Sequence, residues 1–270
     1  MGVVNATPDS FYAASRIDTH ASARARIDQL LAEGAEIADI GGESSRPGAA
    51  PVPDDEQLAR IEPAVTYALA TQQLRVSIDT TSPRVAARML ELGAELVNDV
   101  SCLADVELAR VTARYDKTLI LMHTRGELGK MHGFSDYPDD AYDDVVADVK
   151  REWCQARDRA MAAGLRRERI WFDPGLGFAK NARQSFELLR RLGELRDLGV
   201  PLVLGASRKS FICAVDDVGP DERLGGTIAA CLWGAARGAS VLRVHDVRAV
   251  RQALAVTRAL QGTAAEAAHV

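Results

Sequence analysis

Four polar residues each close a short apolar run: Asn5 after GVV, Asp79 after VSI, Asn98 after ELV and Asp173 after IWF. Two further runs lead into cations, VLGASRKS with Arg208 and Lys209, and VLRVH with Arg243 and His245. An ionised carboxylate can hold two parallel N–H groups in a charge-assisted pair, and an amide supplies both a donor and an acceptor. Cations and a Gly-rich backbone suit an anion. A cavity lined by both sets fits a ligand with a hydrogen-bonding ring at one end and a phosphate at the other.

Taken singly, each residue has a plainer reading. Asp79 before TTSP, and Asn98-Asp99, resemble turn or helix-cap residues. Asp173 is more specific, because Pro174-Gly175 demands a tight turn beneath its carboxylate. Three strand-end acids and amides at regular spacing outweigh the separate readings. Arg208 fits a solvated turn, whereas Lys209 is expected to point inward. Arg243 and His245 alternate, so they are expected to share a face. A cation there is expected to meet a ligand anion in preference to a structural acid. Asn5 offers one neutral oxygen, suited to a hard cation such as Mg²⁺ that keeps water and phosphate oxygens. Phe11 reads equally as a loop anchor or a stacking lid residue, and Phe178 as a ligand contact or packing. No Ser-His-Asp order, cysteine nucleophile, Walker loop or dinucleotide fingerprint is present, so positioning and stabilisation of a leaving anion are expected to carry the chemistry.

These residues need a scaffold that brings strand ends together. Strand-like runs lie near 2–5, 36–40, 75–79, 95–99, 118–122, 169–173, 201–205 and 240–244, separated by amphipathic helical stretches such as PRVAARMLELGA. Gly34, Gly93, Gly164, Gly199 and Gly238 mark helix stops, and Pro83 suits a first helical turn. Roughly eight β–α repeats predict a single-domain (β/α)₈ TIM barrel with its chemistry on the C-terminal face. The barrel is expected over 1–262, with a flexible tail at 263–270. Long connections after Asn5, Asp39 and Met122 are expected to stand on one rim as ligand loops or lids.

The bulk numbers agree with an enzyme of small molecules. With 270 residues, 47% of them apolar, the chain can bury a barrel core, and its net charge of −5 argues against nucleic-acid or anionic-membrane partners. No apolar stretch is long enough to span a bilayer, and no signal-peptide pattern follows Met1. Cys102, Cys154, Cys213 and Cys231 are widely spaced and read as reduced thiols. A cytoplasmic protein is expected.

The motifs together resemble dihydropteroate synthase, a family of the pterin-binding barrels. The landmarks are NATPDSF at 5–11, GGESSRPGA at 41–49, SIDT at 77–80, VNDVS at 97–101, LMH at 121–123, DPGLGF at 173–178, GASRKSF at 205–211 and RVHDV at 243–247. The resemblance implies condensation of 6-hydroxymethyl-7,8-dihydropterin diphosphate with para-aminobenzoate, releasing diphosphate in an SN1-like step assisted by Mg²⁺ at Asn5. It implies catalytic roles for Asp79, Asp173 and Lys209. The pterin would meet Asp79, Asn98, Met122, Asp173, Phe178, Gly205 and Lys209. Asn5, Ser45, Arg243 and His245 would hold the diphosphate, and Phe11, Ser45, Arg46, Pro47, Lys209 and Ser210 the aminobenzoate. It also implies a homodimer, which apolar faces near 226–236 and 247–260 permit. Against the family pattern, Ala13, Ala14 and Ser15 replace an Asp-Gly-Gly segment, Ser45 replaces Thr, Ala179 replaces Gly, and Ser185 stands where Asn is common. The sequence also opens at the first strand, without the leading segment many members carry. Rival readings are a methyltetrahydrofolate-type methyltransferase, which needs no diphosphate site, and a silent pterin-binding paralogue, which the altered first loop favours.

Overall fold

The computed structural model describes residues 1–6, 19–44, 50–126 and 135–262. Strands β1 (Gly2–Asn5), β2 (Ile37–Gly41), β3 (Arg75–Asp79), β4 (Leu96–Asp99), β5 (Thr118–Met122), β6 (Ile170–Asp173), β7 (Leu202–Leu204) and β8 (Ala239–Leu242) form one parallel sheet in chain order. Each bound lies within two residues of the expected one. The sheet closes on itself where Gly2 bridges Val244, with Val3 N donating to Val244 O at 3.2 Å and Val244 N donating to Met1 O at 3.0 Å. The ladder of β8 ends at Leu242 rather than at 244, because Val244 pairs across the seam instead. The predicted (β/α)₈ barrel is the observed fold.

The helices are α1 (Thr19–Ala32), α2 (Asp54–Ala70), α3 (Pro83–Leu92), α4 (Val106–Arg114), α5 (Val145–Ala162), α6 (Ala182–Arg190), α7 (Leu224–Ala236) and α8 (Val247–Leu260). Local chemistry sets their ends. On α3, Ser82 accepts from Val85 N, Pro83 fills the first turn, and Gly93 closes the helix at φ +118°. The helices' apolar faces pack on the outside of the ring in one continuous core that includes Ile27, Ile61, Val85, Leu108, Trp153 and Leu188. The four cysteines are free thiols, as expected. No helix among the described residues is long and apolar enough to cross a membrane.

A second, smaller cluster fills the inside of the ring: Ile37, Leu96, Ile120 and Val203, flanked by Met1, Trp171 and Val241. Because side chains alternate along a strand, the next inward position lies two residues on. That position is Asp39, Asn98, Met122, Asp173, Gly205 and Arg243 in turn. The barrel is therefore plugged by apolar side chains and floored above the plug by polar ones. Register adds Asp79, which pairs across β3–β4 with Asn98. The tail at 263–270 and much of the three long connections lie outside the described residues.

Candidate active site

On the barrel floor, Asp39 and Asp79 share one cation. Arg243 Nε donates to Asp39 Oδ2 and its Nη2 to Asp79 Oδ2, each at 2.6 Å. The sequence reading set Arg243 against a ligand anion and ranked pairing with an acid second; the acid pairing is present. The pairing arises because Asp39 is fully buried and an isolated buried carboxylate would be costly. Burial opposes the charge of Arg243, but Asp39 and Asp79 outweigh it and raise its pKa. Asp39 also accepts from Asn98 Nδ2 at 3.1 Å, which fixes that amide with its oxygen as the free end. Its other oxygen, Oδ1, has no hydrogen-bond partner among the described residues. Asp39 was read from the sequence only as a strand end. Its position two residues after the inward Ile37 is the signal that identifies it.

Asp79, at 16% side-chain exposure, has a pKa raised to about 7. Burial is the main cause; Arg243 works against it, while Asp39, Asp99 and Glu43 add to it. A raised carboxylate pKa means the folded chain holds a proton that the unfolded chain has released, since an unperturbed Asp titrates near 3.9. Asp79 therefore contributes a loss of stability as pH rises from about 4 to about 7. Two histidines, buried His123 and the more exposed His245, are lowered to about 4, chiefly by desolvation, and act in the opposite sense below about 6.5. Comparing melting curves of the wild type and Asp79→Asn across pH 5–8 cancels the histidines. The wild type is expected to lose stability relative to the variant as pH rises, and parallel curves would contradict the raised pKa.

Asp99, beside Asn98, is a turn residue, as its plainer reading held. It accepts from Ser101 N at 2.9 Å and Leu103 N at 2.6 Å.

Asp173 and Lys209 form the facing wall. The Cβ that Gly205 lacks would stand 3.6 Å from Asp173 Oδ2 and 3.7 Å from Lys209 Nζ, so glycine there leaves both groups room. The predicted turn is present: Gly175 N donates to Asp173 Oδ1 at 2.7 Å, with Gly175 at φ +67°. A Cβ on Gly175 would lie 2.0 Å from His123 O, so no other residue fits. Lys209 does point inward. Its Nζ donates to Leu176 O at 2.6 Å and lies 4.7 Å from the Phe178 ring centre. Burial lowers Lys209 to about 8 against the pull of Asp173. Burial also raises Asp173, with Lys209 opposing. Phe178 packs with Met122 and Val100 in a small apolar patch suited to one face of a flat ring.

His245 does not add a second positive charge to Arg243. Burial, then the neighbouring Arg243, lowers it to about 4. Ser207 Oγ accepts from His245 N at 3.1 Å and stands 3.0 Å from Nδ1. Arg208, read as a solvated turn, is instead held by Asp246 and Asp221, each at 2.8 Å.

Lys180 and its partners were not anticipated. The Lys180 side chain is wholly buried and donates to His123 Nδ1 at 2.9 Å, Phe178 O at 3.0 Å and Gly175 O at 3.1 Å. His123 Nε2 reaches Glu152 at 3.0 Å, and Glu152 also binds Arg125. A lone lysine after GLGFA carries no sequence signal for this role. Burial lowers Lys180 to about 7, yet its acceptors ask for all three protons. Lys180→Met is expected to cost roughly 3 kcal/mol in denaturant unfolding, because buried acceptors are stranded. A loss under about 1 kcal/mol would mean water replaces the ammonium.

Two departures from the family pattern are visible. Ala179 sits at φ +46°, a conformation that favours glycine, and its carbonyl accepts from Tyr142 at 2.8 Å. Ser185 Oγ accepts from Gly177 N at 3.1 Å, so the serine braces the Phe178 turn. Phe11, Ser45, Arg46, Pro47 and the Ala13–Ala14–Ser15 segment lie outside the described residues.

Asn5 is the exposed end of β1 and pairs with Gly41 of β2. Among the described residues no cluster of three His, Cys, Asp or Glu could cage a metal. A single neutral oxygen fits a hard cation completed by water and ligand phosphate.

Residues 1–245 match the model of the pterin binding enzyme family. The Synechocystis dihydropteroate synthase is 40% identical over 262 residues, 96% of this chain and 89% of that protein. This chain belongs to the dihydropteroate synthase family of pterin-binding enzymes. A solved Xanthomonas albilineans dihydropteroate synthase with 4-aminobenzoic acid superposes with a TM-score of 0.88 at 40% identity, covering 96% of this chain and 92% of the other. The same organism's enzyme in complex with 7,8-dihydropteroate gives 0.85 at 37% identity, with 96% and 92% covered.

Proposed function

We propose that the barrel floor joins 6-hydroxymethyl-7,8-dihydropterin diphosphate to 4-aminobenzoate, forming 7,8-dihydropteroate and diphosphate. The observation that supports this reading is that Asp79 is bound to Arg243 and paired in register with Asn98, while Asp173 and Lys209 both border Gly205. The relatives' complexes with 4-aminobenzoic acid and 7,8-dihydropteroate support it.

In this reading the pterin lies flat on Met122 and Phe178. Asp173 and Asn98 take its N–H and carbonyl edge, and Lys209 donates to a ring acceptor. Asp79 steadies the positive charge that grows on the pterin as the C–O bond to diphosphate breaks. Arg243 and His245 bind the departing anion. Phe11, Ser45, Arg46, Pro47 and Ser210 complete the arylamine side. A Mg²⁺ held at Asn5 would neutralise diphosphate charge. The amine then attacks the methylene carbon and loses its proton, with no covalent enzyme intermediate.

Incubation with both substrates and Mg²⁺ tests the reading by following dihydropteroate and diphosphate together. Pterin binding without turnover would point instead to a silent paralogue. We further infer a cytoplasmic homodimer joined through α7 and α8, where Trp233, Val256 and Leu260 are exposed. A monomeric mass by light scattering would exclude the dimer.

A further inference from the structure

The segment after β6 leaves the sheet, yet every carbonyl from Gly175 to Ala179 is bonded. Lys209 Nζ donates to Leu176 O at 2.6 Å, Ser135 N to Gly177 O at 3.2 Å and Tyr142 OH to Ala179 O at 2.8 Å. Lys180 Nζ serves the other two, Gly175 O at 3.1 Å and Phe178 O at 3.0 Å, and also reaches His123 O at 3.4 Å just past the end of β5. Three carbonyl oxygens thus crowd one ammonium. Nothing else holds the turn off β5, since a Cβ on Gly175 would stand 2.0 Å from His123 O. The same turn supports the cavity wall: Gly175 N donates to Asp173 Oδ1 at 2.7 Å, and Leu176 O fixes Lys209. Lys180 itself has no surface open to a ligand, being fully buried.

We propose that Lys180 is a positioning residue for the pterin substrate: it clamps the Gly175–Phe178 turn to β5 and so sets where Asp173 and Lys209 stand. This rests on the reading above that a pterin lies against those two groups. Without the ammonium, three carbonyl dipoles converge with no donor between them, and a buried acceptor left unpaired is costly. The turn relieves that cost by moving off β5 toward water. Gly175 N and Leu176 O move with it, and Asp173 and Lys209 lose the contacts that fix them on either side of Gly205. A binding wall held by such supporting bonds tolerates displacements of only about 0.5 Å.

The test is calorimetric binding of 6-hydroxymethyl-7,8-dihydropterin diphosphate to the full chain, with steady-state kinetics beside it, below the unfolding midpoint of each variant. Lys180→Met keeps the reach of the side chain and removes its donors. It is expected to raise the Kd for the pterin diphosphate about tenfold and to leave the KM for 4-aminobenzoate unchanged. Lys180→Gln keeps two N–H donors on a shorter stem, so its Kd should rise only about threefold. Where Lys180→Met does not fold, Lys180→Gln decides alone. Tyr142→Phe frees Ala179 O, which lies past both supporting contacts, and should bind the pterin like the wild type. Wild-type Kd values in the folded Lys180 variants would overturn the proposal and leave the lysine a stabilising residue only. So would an equal rise in the KM for 4-aminobenzoate, or a Tyr142→Phe as weak as Lys180→Met. A wild type that binds the pterin diphosphate but forms no dihydropteroate would overturn the synthase reading and leave this inference standing; one that binds no pterin would overturn both.

Discussion

Asp79→Asn is expected to cut kcat by roughly 100-fold or more while the protein stays folded. The change preserves size, and a carboxamide oxygen can still accept from Arg243 Nη2, which Asp79 binds at 2.6 Å. It removes one of several like charges, since Asp39, Asp99 and Glu43 all act on Asp79. Stability should therefore hold or rise slightly above pH 7. What disappears is the negative charge beside a pterin that becomes cationic as diphosphate departs. A charge that acts mainly in the transition state lowers kcat when removed, with little change in KM. Turnover within about threefold of wild type would take Asp79 out of the proposed chemistry.

Arg243→Ala should unfold at markedly lower denaturant, with a loss of about 3–5 kcal/mol. Its guanidinium is the shared partner of Asp39, which is fully buried, and Asp79. Removing it leaves two carboxylates on the neighbouring strands β2 and β3 without their shared cation. Adding Asp39→Asn to that variant should recover part of the loss, because one uncompensated charge goes; a strictly additive double variant would mean the two do not interact. Function is better tested with Arg243→Lys, which retains a charge but cannot fork to two acceptors. That variant should weaken binding of the pterin diphosphate more than binding of a pterin without phosphates. Equal losses would leave Arg243 as a structural cation alone.

The two experiments separate functions that one network combines. Arg243 holds the floor together, and in the proposed reaction it also receives the leaving anion. Asp79 shares that cation, so its own charge is partly offset in the folded chain. Burial still raises its pKa, which places its ionisation close to neutral pH.

Much of this was legible in the residues themselves. Each strand ended within two residues of its apolar run, and helix stops fell on glycines such as Gly93 at φ +118°. Asp173 was readable because Pro174-Gly175 can make only one kind of turn, and the observed Gly175 N–H bond follows. Lys209 was readable because a lysine tip after an apolar run can reach ligand acceptors, and its inward side chain bears that out. Asp39 was not, although period-two alternation from Ile37 places it inward, because a strand-end acid has a common local role. Lys180 was beyond reach. Its acceptors, His123 Nδ1 and two carbonyls of the Phe178 turn, meet only when β5 and β6 lie side by side.

By itself, then, the order of residues determined the number of strands, where each would stop, and which polar groups would stand at the stops. Those are local properties, written in alternation, glycine placement and capping. Only the closed ring decided who would pair with whom. Arg243 and Asp39 are 204 residues apart. They meet because β8 returns to β1, and because a buried carboxylate must find a cation or lose its charge.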